Sequence, residues 1–254
     1  MAVVAKDREN NLIQFPCSEE KNDSVKKHVS HKQMKTNSLY KENGIRKASP
    51  ADPIKSTEDF QKMVEYLSTH GRKCNRMRNK TLFILGCSLG LRCGDLLSLN
   101  INDVYKNTYD VKTHIELVEE KTHKRNVCKI PMIAIKALKE YASSLKLSFI
   151  DDSPLFVSEQ GSRLSLKSVY RILNDAGKKC GLELHIGTHT MRKTYAAVAL
   201  LSADKNGTSG STLETLQMKF NHSDARITMM YCKAAQDKID EMSDSVSEWF
   251  SKED

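Results

Sequence analysis

Residues 78–100, "RNKTLFILGCSLGLRCGDLLSLN", read as a buried helix, a glycine-marked turn and a short helix holding Leu96, Leu97 and Leu99. Arg92 stands between the two apolar stretches. A guanidinium there is costly to bury without a partner. Asp95 is a candidate structural partner, and a phosphate held in bidentate fashion is the functional one. Gly90 and Gly94 on either side suggest close backbone approach rather than an ordinary helix interior.

Working outward, "STEDFQKMVEYLSTH" (56–70) predicts a helix capped by Ser56 or Thr57, with Phe60, Val64 and Leu67 on one face. Downstream, "KTHIELVEEKTHKRNVCKIP" (112–131) has two β-prone arms, Thr113 to Val118 and Asn126 to Ile130, around a charged tip, and predicts a hairpin. Three more helices follow: "MIAIKALKEYASSL" (132–145), "SLKSVYRILNDAGKKCG" (165–181, stopped by Gly181) and "GTHTMRKTYAAVALLS" (187–202, capped by Thr188). "SADKNGTSGST" (202–212) reads as a loop insertion, and a last helical segment carries Trp249 and Phe250. Helices dominate and one small antiparallel sheet sits near the middle, so the fold class is α+β. Residues 1–55 are polar, lysine-rich and without apolar period over most of their length. They read as a flexible tail ending in the linker "SPADP", ahead of a domain over 56–254.

Lys+Arg 40 against Asp+Glu 32 gives a net charge of +8, a moderate bias that favours polyanions without choosing among them. No apolar run is long enough to span a membrane, and the N-terminus lacks a secretory core. The seven cysteines are scattered and form no CxxC pair, so neither a zinc site nor a disulfide framework is expected, and reduced thiols in a cytoplasm are.

Several residues carry chemistry. His189 and Arg192 are three apart at the start of a predicted helix, where the dipole and free N–H groups favour an anion. Lys121 lies at the hairpin tip with His123, Lys124 and Arg125. In "FNHSDARITMMYCK" (220–233), His222 and Tyr231 share a site only if the helix breaks between them, which Asn221 and a cap at Ser223 or Asp224 allow. Taken singly, each is more often a surface histidine, a half-buried tyrosine or a solvated charge.

The order Arg92, Lys121, His189/Arg192, His222, Tyr231, in these contexts, resembles the catalytic domain of the tyrosine recombinases, the phage-integrase family. "GLRCGDLLSL" (90–99) is similar to its first-arginine box and "EKTHKRNVCKIP" (120–131) to its lysine hairpin. "HTMRKTYAA" (189–197) is similar to its His-x-x-Arg helix, and "LQMKFNHSDARITMMYCK" (216–233) to its histidine and nucleophilic-tyrosine segment. The connecting stretch 153–173 also looks like the family's, so the resemblance covers roughly residues 55–235. Asn221 stands where the family usually has glycine, and Lys193 where a histidine is common. About 55 polar residues are too few for the family's N-terminal DNA-clamping domain, so autonomous site-specific binding is expected to suffer more than strand cleavage.

The resemblance implies a metal-free transesterification. Tyr231 attacks phosphorus to give a 3′-phosphotyrosine, and Arg92, Arg192 and His222 hold the non-bridging oxygens. Lys121 protonates the leaving 5′-oxygen, and His189 assists proton movement. Lys124 and Arg125 are expected to contact DNA. No cofactor is implied; the partners implied are double-stranded DNA, further copies of the chain in a tetramer on it, and accessory proteins. A type IB topoisomerase-like enzyme using similar residues, and a non-catalytic DNA-binding derivative, are the alternatives.

Overall fold

A computed structural model describes residues 51–107, 110–145, 152–205 and 209–220, the strand residues 3–6, 12–15, 40–42 and 45–46, and Thr228 and Ser243. In the N-terminal stretch, β1 (Val3–Lys6) pairs antiparallel with β2 (Leu12–Phe15), and β3 (Tyr40–Glu42) with β4 (Ile45–Arg46). The first pair uses the tetrads VVAK and LIQF, which precede the lysine-rich part of the expected tail.

The helical body begins with α1 (Thr57–Thr69), for which Ser56 is the cap: its hydroxyl accepts from the Asp59 N–H at 3.3 Å. Its inner face is Met63 and Leu67, fully buried, flanked by Phe60 and Val64, the i, i+3, i+4, i+7 stripe of an amphipathic helix. The next helix, α2 (Lys73–Leu89), differs. From Thr81 to Cys87 every residue is buried, because α1 and two later helices pack around it on different sides. That is why the sequence there is apolar all round. It ends at Gly90, in the left-handed conformation (φ 65°).

Two short helices follow, α3 (Cys93–Ser98) and α4 (Ile101–Val104), the second closed by a capping box in which Asp103 accepts from the Asn100 N–H at 2.8 Å. The hairpin is β5 (His114–Val118) and β6 (Arg125–Lys129), antiparallel, with Val118 opposite Arg125. Then come α5 (Met132–Leu145), α6 (Leu166–Lys179), α7 (Thr190–Lys205) and α8 (Ser209–Phe220). Among the described residues, the body is mainly helical with one two-stranded antiparallel sheet, β5–β6, an α+β architecture; the other two strand pairs lie in the N-terminal stretch.

Two expectations are corrected. The loop insertion over 202–212 is largely helical: α7 runs to Lys205 and α8 starts at Ser209. Alanine-rich sequence continues α7, and Leu213, Leu216 and Phe220 bury α8 against Ala196 and Leu200. Secondly, the linker end is packed. Ala51 and Ile54 are 4% and 1% exposed. Lys193 Nζ donates to the Ala51 carbonyl at 2.8 Å, the Ile54 N–H to Thr194 Oγ1 at 2.9 Å, and the His185 N–H to Asp52 at 2.8 Å. The expected terminal helix with Trp249 and Phe250 lies outside the described residues.

Candidate active site

Close packing of α2 on α7 sets the site. A Cβ at Gly86 would overlap Met191 Sδ, and one at Gly90 would stand 2.7 Å from the Tyr195 ring, so only glycine lets the helices approach this far. The expectation for Gly90 holds; at Gly94 an added Cβ would meet only Glu120, at an ordinary 3.4 Å. The approach delivers Arg192, 3% exposed, to the end of α2, where Nη1 donates to the Gly90 carbonyl at 2.8 Å. Its guanidinium lies 4.0 Å from the centroid of the Phe220 ring, the last residue of α8, and Nη2 reaches the Phe220 carbonyl at 3.4 Å. A buried charge is held here by a carbonyl dipole and an aromatic face.

Arg92 flanks the start of α3 in extended conformation, with its side chain 21% exposed. Its principal partner is Glu119, whose Oε2 accepts from Nη1 at 2.6 Å; Asp95, the partner expected from sequence, is 3.7 Å away. Glu119 is fully buried and also accepts from Thr122 Oγ1 at 2.6 Å and Asn126 Nδ2 at 2.9 Å. Burial pushes its carboxyl up, but the hydrogen bonds from Thr122, Arg92 and Asn126 outweigh that and hold it below the usual carboxylate value. Asp95 Oδ1 accepts from the Glu120 N–H at 3.0 Å, tying the hairpin to α3.

His189 immediately precedes α7, and its carbonyl accepts from the Lys193 N–H at 2.9 Å, the first bond of that helix. It therefore stands where Thr188 was expected as the cap. It keeps an accessible side, whereas Arg192, expected on the same face, is buried. The imidazole is held below its ordinary value by partial desolvation and then by Lys193, Arg192, Arg92 and Lys121. Those four cations come from α7, the start of α3 and the hairpin turn. Of these, Lys121 is exposed and Arg92 half-buried, whereas Arg192 and Lys193 are buried. Among the described residues, no group of three or more His, Cys, Asp or Glu could hold a metal ion.

The structure therefore brings together Arg92, Lys121, His189 and Arg192. Lys121 is exposed in the turn between β5 and β6, beside Lys124, also exposed, and Arg125, which is paired with Glu116. His222 and Tyr231 lie outside the described residues. Sequence reasoning missed Glu119, Phe220 and the burial of Lys193. A glutamate among charged neighbours and a lysine on an alanine-rich helix carry no pattern that marks them as buried.

Residues 56–238 match the Phage integrase family. The chain belongs to that family. Among relatives, this phage-integrase chain is 33% identical over 186 residues to the probable integrase/recombinase YoeC of Bacillus subtilis (strain 168), spanning 73% of this chain and 91% of YoeC. It is 30% identical over 235 residues to the tyrosine recombinase XerC of Thermodesulfovibrio yellowstonii, spanning 85% and 72%. Against XerC of Leptospira interrogans it spans 59% of the relative's length. Among solved structures, XerA recombinase superposes with a TM-score of 0.56 at 23% identity, covering 77% of this chain and 66% of that one. XerH bound to its palindromic difH substrate gives 0.58 at 19%, covering 77% and 53%. The fold is thus that of the family's structures. No described helix is long and apolar enough to cross a membrane.

Proposed function

We propose that this chain cuts and rejoins double-stranded DNA through a 3′-phosphotyrosine intermediate, giving site-specific recombination. The observation that carries the reading is that Arg192 donates to the Gly90 carbonyl, two residues before Arg92, while Glu119 ties Arg92 to the turn that carries Lys121. A scissile phosphate is the anion that such a cluster of cations suits, and family membership supports it. In this reading the Tyr231 phenol attacks phosphorus and the bond to the 5′-oxygen breaks. Arg92, Arg192 and His222 neutralise the charge that develops on the non-bridging oxygens. Lys121 gives its proton to the departing 5′-oxygen. His189, whose imidazole is held below its ordinary value by desolvation and then by the cations around it, would take the proton of the phenol.

Phe220, two residues before His222 in the sequence, packs against Arg192. Lys124 and Arg125 would contact the DNA backbone. Four copies would assemble on two duplexes, with residues 1–50 as an appendage to the catalytic domain, and accessory proteins as further partners.

The test is to isolate the protein from host cells under denaturing conditions and sequence any DNA attached to it. One recurring sequence joined through its 3′ end is the expected result. Attachment at unrelated sequences would indicate topoisomerase-like relaxation, and no attached DNA would contradict cleavage.

A further inference from the structure

Glu119 holds together two groups that the proposed reaction needs in register. Its Oε2 accepts from Arg92 at 2.6 Å and from the Thr122 hydroxyl at 2.6 Å, and its Oε1 from Asn126 at 2.9 Å. Arg92 comes from the α2–α3 junction, Thr122 from the turn beside Lys121, and Asn126 from β6. The backbone of the same residue closes that turn: its N–H donates to the Lys124 carbonyl at 3.0 Å, and its carbonyl accepts from the His123 N–H at 2.9 Å. His123 takes a left-handed φ of 53°, uncommon for a residue with a side chain. Asp95 adds a second tie through the Glu120 N–H.

A hairpin does not need a fully buried carboxylate at its neck, and burying one is costly unless every partner is in place. Here the partners are the proposed phosphate clamp and the turn that presents the proposed general acid. We infer that Glu119 is a positioning residue: anchored to Arg92, it fixes the lysine-bearing turn so that Lys121 reaches the leaving oxygen. The inference rests on the functional reading above.

The experiment is single-turnover cleavage of the sequence recovered from the trapped complexes. One substrate carries ordinary phosphate, and the other carries sulfur at the bridging 5′ position, whose thiolate leaves without a proton. Glu119→Gln is expected to slow cleavage of ordinary DNA roughly 10- to 100-fold, as displacement of a catalytic group by about 1 Å does. On the sulfur substrate it should come within a few-fold of wild type. The double variant Glu119→Gln/Lys121→Ala should be no slower than Lys121→Ala alone. Thr122→Val, which removes one hydroxyl from the same carboxylate at nearly unchanged volume, should show the same selective rescue, so the test survives if Glu119→Gln folds poorly.

A purely structural role would slow both substrates equally and add to Lys121→Ala. If Lys121→Ala is rescued by sulfur and both Glu119→Gln and Thr122→Val are not, the positioning role is overturned while the acid assignment stands. If Lys121→Ala itself is not rescued, the acid assignment fails and the inference falls with it.

Discussion

Arg192 donates to the Gly90 carbonyl at 2.8 Å, so the end of α2 and the start of α7 hold one guanidinium between them. Gly90 has φ 65°, and a Cβ there would stand 2.7 Å from the Tyr195 ring. Gly90→Ala should therefore cost about 2–4 kcal/mol of stability, from left-handed strain and overpacking together. It should also lower cleavage more than the fraction unfolded explains, since the carbonyl that holds Arg192 moves. Denaturant titration beside single-turnover rates checks this, and a variant with unchanged stability would refute the packing argument.

His189 offers a titration test. Desolvation and then Lys193 lead the causes of its lowered value. Lys193→Met should raise it toward the ordinary 6.5, read from the pH dependence of the imidazole proton resonance. Unfolded His189 takes up its proton near 6.5, the folded one at lower pH, so stability is full above 6.5 and is lost as pH falls below it. His189→Gln should remove that part of the acid sensitivity. A downward shift in Lys193→Met would contradict the electrostatic account.

Glu119 behaves in the same direction at lower pH. Its folded carboxyl titrates below the ordinary 4.5, so its ionised contribution is complete above 4.5 and is lost as pH falls through the folded value. The stability difference between wild type and Glu119→Gln should therefore narrow as pH is lowered from 5 toward about 3. Thermal melts across that range measure it; a gap that widens on acidification would show that the carboxylate is not the favoured form.

Much of this was legible in the sequence because local patterns specify it. The Ser56 cap, the α1 stripe, the apolar run of α2 and the charged tip of the hairpin each follow from residue type and spacing. Arg92 announced a need for a partner, but not which one: Asp95 is near in sequence, and Glu119, 27 residues on, is the shorter contact. Long-range pairing of that sort has no local signature. The same holds for Lys193, whose ammonium finds the Ala51 carbonyl across 142 residues, and for Phe220 under Arg192. The helical start of α8 was hidden because Ser209, Gly210 and Ser211 read as loop, while the apolar residues that bury the helix come later.

Lys124 is exposed in the hairpin turn and is proposed to meet a DNA phosphate. Lys124→Ala should weaken binding about equally for all sequences and reduce the slope of log K against log salt by about 0.9. Fluorescence anisotropy at several salt concentrations decides it. An unchanged slope would place Lys124 away from the backbone, and a loss confined to one sequence would assign it to base recognition.

Tyr231 is the proposed nucleophile. Wild-type protein incubated with a nicked duplex, whose cleaved fragment diffuses away, should accumulate a covalent protein–DNA species. Peptide mass mapping should place the 3′-phosphate on Tyr231, and Tyr231→Phe should form no such species. An adduct that persists in Tyr231→Phe, or that maps to Tyr195, would contradict the account.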